Sequence, residues 1–171
     1  MALTRTLGVV ASAAVLGVTV ISSGASAPQG TAQLAGPPPS IVQYGYLRSL
    51  VRSGSAYRMR FDPAFWLSGE TANRAAVEDG VLAPGDAVPN DYYIRNESKK
   101  QLDYTVPRNA RATIVTNPAG GLRSTRIAVS ELAAIVKGQN PKGRKLYGPD
   151  LGYWARIAVD RVLALDQQYQ P

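Results

Sequence analysis

The residues that do most enzymatic chemistry are missing here. The chain contains no histidine and no cysteine. It therefore lacks the commonest general base, the commonest transition-metal ligand and the thiol nucleophile. Zinc, copper, haem and iron–sulfur sites lose their usual donors at the same stroke. The serine acyl-transfer motifs Gly-x-Ser-x-Gly and Ser-x-x-Lys do not occur, nor does a glycine-rich phosphate loop or a dinucleotide fingerprint. No cofactor is expected. What remains is carboxylates on one side and cations on the other.

The carboxylates crowd into one stretch. Glu70, Glu78, Asp79, Asp91 and Glu97 all fall within 62–97. Two carboxyl groups at a suitable distance are enough for glycoside hydrolysis, which makes a carboxylate-dependent enzyme one reading. Calcium is another, with Glu78, Asp79 and Asp91 as its first ligands and Asp86 and Asn90 beside them, although the spacing lacks the alternating Asp and Asn of a hand-type loop. The plainer reading is a solvated surface. In it, Asn90 and Asp91 bond the local backbone and fix the angle at which Tyr92 and Tyr93 enter a sheet.

The cations have their own stretch. Gln139–Gly148 reads QNPKGRKLYG. Together with Lys137, the residues Lys142, Arg144, Lys145 and Tyr147 make a candidate surface for a phosphate-rich partner, bound by point charges and weakened by salt. The alternative is a solvated loop whose charge keeps the protein in solution. Charge along the chain is uneven in the same sense. Ile41–Phe61 carries four arginines and no acid, 62–103 carries eight acids against four basic residues, and 104–145 carries eight basic residues against one acid. An acidic block between basic flanks suggests pairing within the fold; a basic face toward an anionic polymer is the sharper possibility.

The elements that must position these groups read as mainly β. Tyr57, Met59 and Phe61 alternate with Arg58 and Arg60, the pattern of a strand with one buried face. Ile41–Val51 reads as the strand before it, with a bulge or sharp bend at Gly45. Further strands are expected at Tyr92–Ile94, Leu102–Val106, Ala112–Thr116 and Ser124–Val129. A hairpin over Gly152–Val159 and Val162–Gln168, turning at Asp160-Arg161, closes the series. Two short helices complete it. One runs from Ser68 to Asp79, capped by Ser68 or Thr71 and ended by a left-handed Gly80. The other is capped by Ser130, with Leu132, Ile135 and Val136 on one face, Glu131 in the first turn and Lys137 in the last. Phe65, Trp66 and Leu67 read as a packing knob over one end of a barrel.

The start of the chain reads as an address. Arg5 precedes the apolar run Leu7–Ile21, which is short for a membrane span, and small residues follow. Residues 1–27 are thus expected to be a signal peptide, cut after Ala25 or Ala27. Residues 28–40, PQGTAQLAGPPPS, are expected to be a Pro-rich disordered linker, leaving 41–171 as a single β-rich domain with an acidic insertion at 62–97. A chain of that length can bury a core without disulfides.

Several words recur in a recognisable order: FDPAFWLSG at 61–69, AAVEDG at 75–80, VPNDYY at 88–93 and LDQQYQP at 165–171. Together they resemble a family of small secreted proteins and lipoproteins of Gram-positive bacteria, mainly actinobacteria. The resemblance covers Gly45 to Pro171 and implies export. It brings no catalytic residues with it, because the family is one without an assigned activity. The present chain departs from its lipid-anchored members in lacking the cysteine that would carry the lipid.

These readings converge on a mainly β (α+β) domain. The expected form is a small open β-barrel or coiled antiparallel sheet with two short helices, an OB-like (oligomer-binding) barrel being the first architecture to expect. The function expected with it is that of a secreted or wall-associated non-catalytic module that binds an anionic wall polymer or membrane surface, with no integral membrane domain after cleavage. Nucleic acid is disfavoured by export. An enzyme acting on envelope glycans and a structural or partner-regulating domain are the rival readings.

Overall fold

The computed structural model describes residues 39–98 and 100–171. The expected signal peptide and nearly all of the expected linker lie outside them. Among the described residues, nine strands and two helices follow in the order β1 (Ile41–Ser53), β2 (Ala56–Pro63), β3 (Phe65–Ser68), α1 (Gly69–Glu78), β4 (Tyr92–Arg95), β5 (Leu102–Pro107), β6 (Arg111–Thr116), β7 (Arg123–Ile127), α2 (Val129–Val136), β8 (Tyr153–Ala158) and β9 (Arg161–Gln167). No helix among these residues is long and apolar enough to cross a membrane.

Five strands close a barrel. The sheet runs β5-β2-β1-β8-β9, and β9 returns to β5 through the parallel pair Thr105–Arg161, where the Thr105 amide donates to the Asp160 carbonyl at 2.9 Å. Counted among themselves, the barrel strands lie in the order 1-2-3-5-4-1, the third and fifth parallel, with α2 between the third and fourth. This is the arrangement of an oligomer-binding barrel. The hairpin β6–β7 extends the sheet beyond β9.

Sequence explains the barrel locally. On β2, Tyr57, Met59 and Phe61 are buried and Arg58 and Arg60 exposed, as period two requires. Met59 and Phe61 are fully buried, each worth about 1.5–3 kcal/mol. They meet Leu50, Val106, Tyr153, Ile157 and Leu165 from the other barrel strands and Leu132 and Ile135 from α2.

Strand β1 serves two partners, β8 over Ile41–Gly45 and β2 over Gly45–Ser53. Gly45 is the corner shared by both. A Cβ there would lie 2.3 Å from the Asp62 carbonyl oxygen, so only glycine fits the close approach. The bulge itself comes three residues later, where Arg48 is the extra residue between Leu47 and Ser49. The β8–β9 turn falls on Val159-Asp160 rather than Asp160-Arg161, with Val159 held at φ +58° and 93% exposed.

The segment 62–97 differs from expectation. Phe65–Ser68 is a strand, paired antiparallel with β4 in a separate two-stranded ribbon. This ribbon leans on the barrel wall instead of covering its end. Trp66 stacks on Tyr92 (4.3 Å between centroids, 12° between planes) and meets the edge of Tyr44 at 5.2 Å and the ring of Trp154 at 6.2 Å. Tyr44 and Trp154 are cross-strand partners on the outward face of β1 and β8. Helix α1 packs Ala72 and Ala76 against Leu67, Val88 and Tyr93. Gly80 ends it at φ +70° as expected, but no side chain caps its start. Helix α2 begins one residue before Ser130 and also lacks a side-chain cap.

Candidate functional site: an arginine-lined groove and a partly paired basic loop

Three hollows meet on the outward face of the barrel. The first, about 370 Å³, is bordered by Val51, Arg52, Arg58 and Arg60. The second, about 170 Å³, shares Ser53 and Arg58 with it and adds Asp103, Thr105 and Asp160. The third, about 470 Å³, shares Ala56, Thr105 and Asp160 with the second and ends at Arg108 and Arg161. Shared walls make them one groove across β1, β2 and β5 to the β8–β9 turn.

Strand geometry sets its charge. Val51, Arg58 and Thr105 are successive cross-strand partners, as are Ser49, Arg60 and Asp103, so two rows of side chains stand side by side on one face. Five arginines (52, 58, 60, 108 and 161) and two aspartates (103 and 160) border the groove, a balance of three positive charges. Among the described residues, none of these arginines has a carboxylate within 4 Å. Sequence reasoning placed Arg58 and Arg60 on an outward face but did not single them out. The signal for them was the acid-free run of four arginines in Ile41–Phe61.

The basic loop after α2 is arranged otherwise. Glu131 is 5% exposed. It accepts from Arg144 Nε at 2.5 Å and faces Lys142 Nζ at 3.1 Å. Arg144 first, and Lys142 after it, hold the Glu131 carboxyl below its ordinary range against the opposing effect of burial. Asn140 clasps the same turn, accepting from the Arg144 amide at 2.9 Å and donating to the Arg144 carbonyl at 2.7 Å. Of the five candidates, Arg144 and Lys142 are thus paired inside the fold. Lys145 borders a hollow together with Arg144 and Arg123. Lys137 is exposed just past the end of α2. The Tyr147 ring lies 5.1 Å from that of Tyr169. Of the five candidates, only Arg144 and Lys145 share the hollow beside Arg123.

Of the acidic candidates, Glu78, Asp79 and Glu97 are also engaged. Arg95 on β4 donates to Asp79 Oδ2 at 2.9 Å and Oδ1 at 2.7 Å, to Glu78 Oε2 at 3.0 Å and to the Ala75 carbonyl at 2.8 Å, and it lies 3.2 Å from Glu97. It ties the last turn of α1 to the ribbon. The Arg95 guanidinium, with the Tyr93 hydroxyl helping, lowers the Asp79 carboxyl. Asp91 stands apart at φ +56° in the turn into β4, preceded by Asn90 at φ +59°. Among the described residues no three acidic side chains gather as metal ligands. Asp79 and Glu131, both shifted downward, are the opposite of a general acid with a raised pKa.

No family model, no curated protein and no solved structure matches the chain.

Proposed function

We propose that this domain is a non-catalytic module that binds a linear anionic polymer along the arginine groove. The observation that carries the reading is the row Arg58 and Arg60 on the outward face of β2. These two cations stay open to solvent, whereas Lys142 and Arg144 of the basic loop are paired with Glu131. Barrels of this topology take oligomeric ligands across the second and third strands, between the loops joining strands 1–2 and 4–5. The groove lies between the corresponding Gly54-Ser55 and Val159-Asp160 turns, a support by analogy of fold. The signal-like start of the chain directs the reading to an exported protein, and so to a cell-envelope polymer with a phosphate backbone, of the teichoic acid kind.

Titration of teichoic acid into the protein tests this. The account expects binding that weakens steeply with salt and is lost in Arg58→Glu/Arg60→Glu, with the melting temperature unchanged because neither residue packs in the core. Equal binding by the double variant would remove the groove from the account.

A further inference from the structure

A second cavity lies at the bulge of β1, independent of the arginine groove. It measures about 390 Å³. An unbroken strand sends successive side chains to opposite faces. The extra residue at Arg48 lets Tyr46, Leu47 and Arg48 border one cavity in a row, a use of bulges common beside binding sites. Ile135 and Val136 at the end of α2, and Leu151 from the loop before β8, supply apolar walls.

Three polar groups face this space from different elements. Tyr153 on β8 lines the cavity at 1% exposure, and its hydroxyl is buried with no hydrogen-bond partner among the described residues. A buried donor left unmade costs its desolvation, so this one is either a defect or a group awaiting a partner. Burial, and then Asp150, raise its pKa, so the phenol stays a neutral donor. Asp150 borders the same cavity and has no ion-pair partner among the described residues. Arg48 supplies the third group. Its Nε and Nη2 are taken by Asp62 Oδ2 at 3.0 and 2.5 Å, which leaves Nη1 uncommitted by that pair.

The chemistry of the three selects a ligand class. Asp150 opposes an anion. The Leu47, Ile135 and Leu151 walls oppose a cation that would have to shed its water there, Arg48 being already paired with Asp62, so the occupant carries no net charge. It needs an acceptor for the Tyr153 hydroxyl, a donor for Asp150 and an apolar body for the Leu47, Ile135 and Leu151 walls. We propose that the cavity binds a small amide with an apolar side chain, its carbonyl accepting from Tyr153 and its N–H donating to Asp150.

The test is a heteronuclear NMR titration of the full chain with N-acetyl-leucinamide, beside the anion 4-methylpentanoate and the cation 3-methylbutylamine. The amide is expected to shift the signals of Leu47, Val136 and Leu151, and the two charged probes to leave them in place. Tyr153→Phe is expected to keep or raise the melting temperature while weakening the amide about tenfold, the loss of one hydrogen bond. Four results would each overturn the proposal. They are no shift at these residues, equal shifts with either charged probe, unchanged amide binding in Tyr153→Phe, or a lowered melting temperature in that variant, which would show the hydroxyl already bonded in the free protein.

Discussion

The loop after α2 and the outward face of β2 are both basic in sequence, yet the fold treats them in opposite ways. In the loop, Arg144 and Lys142 converge on Glu131, a carboxylate that α2 carries into the core. On β2, Arg58 and Arg60 stand over a groove with no carboxylate within 4 Å of either among the described residues. The first pair is structural, because a buried carboxylate needs its cations. The second does nothing for the fold that the structure reveals. Local charge density therefore identifies where cations lie along the chain; only the tertiary partner decides which of them are free to meet another molecule.

This comparison can be broken at its strongest point. Arg144→Ala leaves Glu131 buried with Lys142 alone, and it is expected to give the largest loss of melting temperature of any single charge removal. A loss no greater than that of Arg58→Ala would end the distinction between the two regions. Glu131→Gln keeps the shape and removes the charge; it is expected to cost about 2 kcal/mol at neutral pH, as for a hydrogen bond to a charged group.

The acid limb sharpens the contrast. A carboxyl lowered in the folded state contributes stability that is complete above its unfolded pKa, about 4.3 for Glu. That contribution is lost as pH falls through the lower folded value. The wild-type protein should lose this part of its stability below about pH 4.3, and Glu131→Gln should show a flatter profile there. Arg58→Glu/Arg60→Glu should keep the acid limb of the Glu131 cluster, since the groove takes no part in it. Matching profiles for the wild type and Glu131→Gln would mean that the cluster does not govern this limb. The smallest effect is expected at Lys137 and Lys145. Both are exposed and outside the Glu131 cluster, so alanine at either should leave the melting temperature where it is.

Much of the barrel is legible in the sequence because it rests on short-range periodicity. Tyr57, Met59 and Phe61 show the buried face of β2 directly, Leu132 and Ile135 show that of α2, and Gly80 marks the end of α1. The features that are not legible depend on partners far along the chain. Phe65–Ser68 reads as a knob because four residues carry no period, and it becomes a strand only by pairing with Tyr92–Arg95. The closure of β5 on β9 rests on Thr105 and Arg161, which no local signal connects. The candidate site follows the same rule. Arg58 and Arg60 can be placed outward from alternation, but the groove needs Arg108 and Arg161, brought alongside by that closure. The Glu131–Arg144 pair spans thirteen residues and a helix end, so the sequence shows a basic loop without showing that it is answered.

The most direct test is the salt dependence of teichoic acid binding, compared between the wild-type protein, Arg58→Ala/Arg60→Ala and Lys137→Ala/Lys145→Ala. The account predicts that log K falls linearly with log salt. The groove variant should have a slope shallower by about 1 for each arginine removed, and the loop variant a slope like the wild type's. The same slope in all three proteins, or a change confined to the loop variant, would contradict it.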